Sequence, residues 1–256
     1  MKNIIAMWSG PRNLSTAMMR SFGNRSDVTS VTDEPFYGAY LKKTNKNHPM
    51  IDEIISTMNT SYKSVEQICS TEEESGYSYH KHMSQHIFNY DSLDWVTNSI
   101  NCFLLRDPDL VVASFLAKWP DGKLEDFGFI QQHKIFNIIS DKAGAACPVI
   151  DTSLVLKDPE SELRKLCLKI GIPWDSKMLK WSSGIKDYDG IWAKHWYPSV
   201  MTSTGFVTGG FSSQKPLSDK ARALSDQLRP YYNDMIKYII ESVSYTHLRA
   251  HETKAN

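Results

Sequence analysis

"MWSGPRNLSTAMMRSF", Met7–Phe22, joins an apolar run of strand length to a run with helical spacing. Between them lie a Gly-Pro pair, an arginine and two hydroxyls, Ser15 and Thr16. A loop that leaves a strand and opens a helix presents backbone N–H groups without helical partners, at the positive end of the helix dipole. Both features favour an anion, above all a phosphate-like one. Arg12 adds a permanently charged, forked donor suited to phosphate or sulfate. Ser15 and Thr16 either cap the helix or donate to ligand oxygens. The rival is the nucleotide-triphosphate loop G-x-x-x-x-G-K-[ST], whose lysine reaches the terminal phosphates and whose hydroxyl holds magnesium. "SGPRNLST" has no second glycine and no lysine before Ser15, which counts against an ATPase or kinase.

Working outward, "KNIIAMW" supplies the strand before this loop and "DVTSVTD" a second, with β-branched residues alternating with polar ones. "GYSYHKH", "NCFLLRD" and "PVIDT" give three more. The intervening runs are helical: "STAMMRSFGNR", "EPFYGAYLKK" with Pro35 in its first turn, "PDLVVASFLAKW", the long "EDFGFIQQHKIFNIISDKA", and "DPESELRKLCLKIGIPW", which Gly171 stops. Residues 44–75 are polar and read as an insertion or lid. Residues 182–215 are rich in Gly, Ser, aromatics and Pro without a clear period, and 216–242 return to helix. Strands separated by helices predict a parallel sheet with helices on both faces, a three-layer α/β fold. No repeat or linker divides the chain, so residues 1–242 are expected to form one domain. "VSYTHLRAHET" reads as the translation of a sequencing adapter, so residues 243–256 are set aside as a non-native tail, with His247 and His251.

The 256 residues carry 29 basic and 29 acidic side chains, a formal net charge of zero. That argues against broad nucleic-acid or membrane-surface binding, which needs a basic surplus. A local anion pocket needs only a few well-aimed donors. Cys69, Cys102, Cys147 and Cys167 show no CxxC pairing and no clustered histidine spacing, which fits a reducing compartment and gives no metal site. No signal peptide and no run of membrane-spanning length is visible, so a cytoplasmic location is expected.

A second element follows the fourth strand. "FLLRDPDLVVASFL" places Arg106 at a strand end and Ser114 eight residues later on the next helix. In combination these stretches resemble the sulfotransferase family that uses 3′-phosphoadenosine 5′-phosphosulfate (PAPS) as donor. "SGPRNLSTAM" is similar to that family's 5′-phosphosulfate loop, and "RDPDLVVAS" to its 3′-phosphate element. "DTSLVLKDPESELRKLCLKIGIPW" with "KMLKW" resembles its late strand–helix–turn stretch. "DEPFYGAYL" and "WAKHWYPSVMTSTGF" resemble a bacterial subgroup and the similar domain of plant aminotransferase-like proteins. The likeness runs over roughly residues 3 to 240.

The resemblance implies a P-loop NTPase-like fold and transfer of a sulfuryl group from PAPS to a hydroxyl or amine of a small acceptor, with no metal required. Arg12 and the backbone of Asn13, Leu14, Ser15 and Thr16 would hold the sulfate and bridging oxygens. Arg106 and Ser114 would hold the 3′-phosphate. Two residues compete as the base: Glu34, which follows the second strand, and His82, in the region where cytosolic sulfotransferases carry "KTHLP". His82 stands one position early, so strand alternation turns it to the other face. Glu34 is therefore favoured, with Lys81 available to the bridging oxygen. The family's late basic-Gly run has no counterpart in "STGFVTGGFSSQK", leaving Lys194, His195 or Lys215 to close the 3′-phosphate site. Trp181, Trp192, Trp196 and Tyr197 are candidates to wall the acceptor pocket. Two other readings stay open: a non-catalytic nucleotide-binding module, and a metal-dependent kinase or nucleotide hydrolase on the same fold.

Overall fold

Five β-type runs become five parallel strands in the computed structural model, which describes residues 2–88, 90–207 and 216–240. They are β1 (Ile4–Ser9), β2 (Val28–Asp33), β3 (Tyr77–Met83), β4 (Ile100–Leu105) and β5 (Val149–Asp151), ordered β2-β3-β1-β4-β5. Every pairing is parallel. All six residues of β1 are buried, as expected for a central strand covered on both faces.

One face carries α1 (Ser15–Gly23), α2 (Tyr37–Thr44), α3 (Ile51–Thr57), α7 (Thr152–Lys157) and α8 (Pro159–Ile170). Met18, Met19, Phe22, Leu163 and Leu166 pack there against Ile5, Met7, Tyr79, Cys102 and Leu104. The other face carries α4 (Tyr62–Cys69), α5 (Pro108–Leu116), α6 (Phe129–Ala143) and α11 (Asp219–Met235). Val65, Val111, Phe136 and Leu228 cover Ala6, Trp8, Phe103 and Leu105. Two short helices, α9 (Ala193–Trp196) and α10 (Pro198–Met201), lie in the late segment that has no sequence period.

The structure revises several element boundaries. Pro35 precedes α2 instead of lying in its first turn, because Glu34 turns the chain at φ 47° and the helix starts only at Tyr37. The long helix expected over 125–143 is interrupted: Leu124–Phe127 form a 3-10 turn, Gly128 takes φ 73°, and α6 begins at Phe129. Residues 44–75 hold two true helices, α3 and α4, each with a buried side: Ile54 in the first, Val65 and Cys69 in the second. No helix among the described residues is long and apolar enough to cross a membrane. The segment set aside, 243–256, lies outside the described residues, as does Lys215.

Buried polar groups pin the layers together. Arg20 on α1 donates two bonds to Asp189, at 2.5 and 2.6 Å, and both side chains are almost fully buried. The Trp8 indole donates to Asn101 Oδ1 across β1 and β4 at 2.9 Å. Asp107 caps α5 and accepts from Arg229 on α11, fastening the start of α5 to the last helix.

Candidate active site

In this strand order the chain leaves β1 towards β2 on one side and leaves β4 towards β5 on the other. Open α/β sheets bind ligands at the carboxyl ends of strands where the connections diverge in this way. Arg12 follows β1 and Arg106 follows β4, so the fold delivers both guanidinium groups to one crevice.

The loop between β1 and α1 is held in an unusual shape. Arg12 and Leu14 have φ of 64° and 62°, left-handed values that cost a non-glycine residue about 1–3 kcal/mol each. Gly10 has no alternative, since a Cβ there would lie 2.4 Å from the Phe127 carbonyl oxygen. Leu14 stands at the N-cap and no side chain caps α1, so its first N–H groups stay available at the positive end of the helix. Asn13 is buried and donates to the Pro11 carbonyl at 3.0 Å, which braces the loop. Ser15 is buried at the helix start, Thr16 half-buried, and both line the cleft.

The three basic and hydroxyl groups singled out around this loop meet. Arg12 Nε donates to Ser114 Oγ at 2.8 Å, and Arg106 Nη1 donates to the Arg12 carbonyl at 2.9 Å. Neither arginine forms an ion pair among the described residues. Enclosure lowers both guanidinium pKa values, and the Arg12 charge lowers Arg106 further. Lys118, which donates to the His195 carbonyl at 2.6 Å, is also lowered, first by burial and then by Arg12. Asp107 and Asp151 offset part of the Arg106 charge from a distance, and positive charge without a direct ion pair at a helix N-terminus is the electrostatic form of an anion seat.

Beside it opens a cleft of about 800 Å³, walled by Tyr37, Tyr40, Phe115, Trp119, Trp196 and Tyr197. At its floor Glu34 and Asp33 share Lys81. Lys81 Nζ donates to Asp33 Oδ1 at 2.9 Å, to the Tyr197 hydroxyl at 2.7 Å, and to Glu34 Oε1. Burial alone would lower the lysine, but the two carboxylates outweigh it and the pKa rises. Burial raises the Asp33 carboxyl, against the pull of Lys81, and burial together with both acids raises Tyr197 well above 10. A lysine has three protons to donate, and here all three are engaged. Lys81 therefore orients the acids and has none left for a bridging oxygen. Glu34 Oε2 has no hydrogen-bond partner among the described residues.

His82 does not reach this cleft. Alternation along β3 points Lys81 into it and His82 to the opposite face, where the ring is 1% exposed and stacks on Trp8 at 4.5 Å. That placement removes it as the base. Of the late candidates, Lys194 and His195 are exposed and Trp181 lies away from the cleft, with its indole donating to Ser203. Trp192 is buried and donates to the Tyr197 hydroxyl at 3.1 Å. Only Trp196 and Tyr197 of that aromatic set face the cleft.

Two lining histidines were not singled out by sequence reasoning. His48 Nδ1 lies 2.8 Å from the Tyr37 hydroxyl, and His86 stacks on the Tyr37 ring at 5.0 Å. Burial lowers both pKa values, that of His86 well below 6.5, so His86 is neutral. Neither lies in a motif; His48 sits in a polar stretch with no signal, and His86 only stands near Phe88 and Tyr90.

Comparison with known proteins gives the family and the fold. Residues 1–238 match the family described as "Sulfotransferase domain", and the chain belongs to that family. It is 35% identical over 246 residues to branched-chain-amino-acid aminotransferase-like protein 1 of Arabidopsis thaliana, covering 94% of this chain but 43% of that protein. The chain thus spans less than half the length of this relative. Among solved structures, it resembles the sulfotransferase domain from the curacin biosynthetic pathway (TM-score 0.54, 14% identity, 90% of this chain and 98% of that one). It also resembles mouse sulfotransferase SULT7A1 complexed with PAP (TM-score 0.52, 13% identity, 93% of this chain and 90% of that one). These likenesses are of fold, the three-layer P-loop NTPase-like arrangement expected from the sequence.

Proposed function

We propose that this chain is a sulfotransferase that moves a sulfuryl group from PAPS to a hydroxyl or amine of a small acceptor. The observation that carries the reading is the pair Arg12 and Arg106, without a direct ion pair among the described residues, at the uncapped start of α1. Arg12 and the N–H groups of residues 13–16 hold the sulfate and bridging oxygens. Arg106 and Ser114 hold the 3′-phosphate, the group that separates this donor from ATP. By analogy with phosphoryl transfer, such a site works mainly by positioning the reactants and stabilising charge. A new S–O or S–N bond forms at the acceptor as the bond from sulfur to the phosphate oxygen breaks. The acceptor's proton passes to Glu34 through Oε2, while Lys81 fixes the other oxygen. The aromatic cleft beside Glu34 takes the acceptor body.

A second reading has one observation in its favour. Glu34 is already engaged by Lys81 and by the Tyr197 hydroxyl, both through Oε1. That would suit a module that binds the nucleotide without turnover. Calorimetric titration with 3′-phosphoadenosine 5′-phosphate, set against ATP plus magnesium, tests the site. Metal-independent preference for the bisphosphate is the expected result, and binding of ATP alone would overturn it. Acceptor-dependent release of the bisphosphate from PAPS then separates the enzyme from the module.

A further inference from the structure

On the face of β3 opposite Lys81, strand alternation lines up Ser78, His80 and His82. The end of α4 packs over that row and brings Cys69 to the two histidines. The Cys69 Sγ and one ring nitrogen from each histidine lie within 4.8 Å of one another. The three residues are 0%, 5% and 1% exposed. His80 Nδ1 and both ring nitrogens of His82 have no hydrogen-bond partner among the described residues. Stranding a buried polar atom costs about 1–3 kcal/mol, and here three such atoms belong to two rings packed beside one thiol. Packing alone gives no reason for that grouping, since an apolar side chain would fill the same space without the cost.

The donor set has a chemistry of its own. One thiolate and two imidazoles suit a borderline-soft metal ion with no geometric demand of its own. Bonds of about 2.0–2.1 Å to nitrogen and 2.3 Å to sulfur place tetrahedral ligands roughly 3.3–3.7 Å apart, within reach of small side-chain rotations from the positions seen.

We propose that Cys69, His80 and His82 form a binding site for a zinc ion, which fastens α4 to the sheet. The site is distinct from the cleft: Lys81, between the two histidines in sequence, points the other way. It does not depend on the sulfotransferase reading. Its role is structural, holding in place part of the insertion over residues 44–75.

The test uses the purified full chain, stripped with a chelator under reducing conditions and reloaded with Zn²⁺. After desalting, the native protein should retain roughly one zinc per chain and melt at a higher temperature than the stripped form. Loaded with Co²⁺ instead, it should show a sulfur-to-cobalt charge-transfer absorption. In Cys69→Ala retained zinc should fall at least about tenfold, with loss of the melting shift. Zinc retained equally by that variant places the ion elsewhere and overturns the proposal. So does native protein that keeps no zinc. Should Cys69→Ala fail to fold, the cobalt spectrum of the native chain decides alone, because absence of the thiolate band excludes Cys69 as a ligand.

Discussion

Arg12 is the residue whose role separates most cleanly from folding. Its side chain reaches across to Ser114 and carries no part of either core, so removing it leaves the packing intact. Losing one aimed donor to a transition-state charge commonly costs about 3 kcal/mol, or about a hundredfold in kcat. Arg12→Ala should therefore abolish most turnover while its melting temperature stays close to that of the native chain. Rate measurements beside a thermal melt check this, and unchanged kinetics would remove the loop from the reaction. At this scale the sequence is only half legible. Arg12, Arg106 and Glu34 could be named because each follows a strand, and Ser114 because it stands eight residues after Arg106 in a stretch that resembles the family's. Tyr197 could be named as a pocket wall, but not the bonds of its hydroxyl to Lys81 and to Glu34, the latter 163 positions away. The parity of β3, which sends Lys81 to the cleft and His82 to the opposite core, needed only correct counting from one end of the strand.

The junction of β1 with α1 depends on another element for its shape. Gly10 sits against the Phe127 carbonyl, at the end of the 3-10 turn that precedes α6, and Gly128 lies beside Gly10 in turn. A methyl group at position 10 forces backbone against backbone, with no flexible side chain to give way. Gly10→Ala should lower stability by about 1–3 kcal/mol, as overpacking does, and weaken binding of 3′-phosphoadenosine 5′-phosphate at the same time. Chemical denaturation and calorimetry on one preparation test the pair of effects. Stability lost without any change in affinity would show that the loop keeps its shape without Phe127. Strands β1, β2, β4 and β5 were readable from their apolar and β-branched runs, whereas β3, Tyr77–Met83, offered only tyrosines among polar residues. The break at Gly128 was hidden because the apolar residues on either side keep a helical spacing through it. Cys69 with His80 and His82 was hidden for a different reason: seven residues of turn and loop, 70–76, separate helix from strand, so no spacing rule joins them.

Across the whole molecule, equal numbers of acids and bases make long-range repulsion small near neutral pH. The pH response of stability then rests on particular buried groups. His86 is 3% exposed; burial comes first among the causes that lower its pKa, followed by His48, Lys81 and Lys46. Tyr37 and Tyr40 pack on its ring. The unfolded chain protonates this histidine near pH 6.5, and the folded chain does not until a lower pH. Its contribution is complete above about pH 6.5 and is lost as pH falls below that, at up to about 1.4 kcal/mol per pH unit. Melting temperatures measured from about pH 8 to about pH 5 should fall on the acid side, and less steeply in His86→Phe, which keeps a ring on Tyr37. Parallel curves for the two proteins would assign the acid response to other groups.

Arg20 and Asp189 join α1 to the segment that carries Tyr197. Gly190 in that segment also donates to Asp33 at 3.1 Å. A chimaera that imports residues 182–207 from a relative inherits this joint. Without an acid at position 189 the transplant leaves Arg20 charged and alone in the interior, at about 3–5 kcal/mol. The segment that lends itself to exchange is therefore the stretch after position 190, with the Asp189–Gly190 hinge kept from the host.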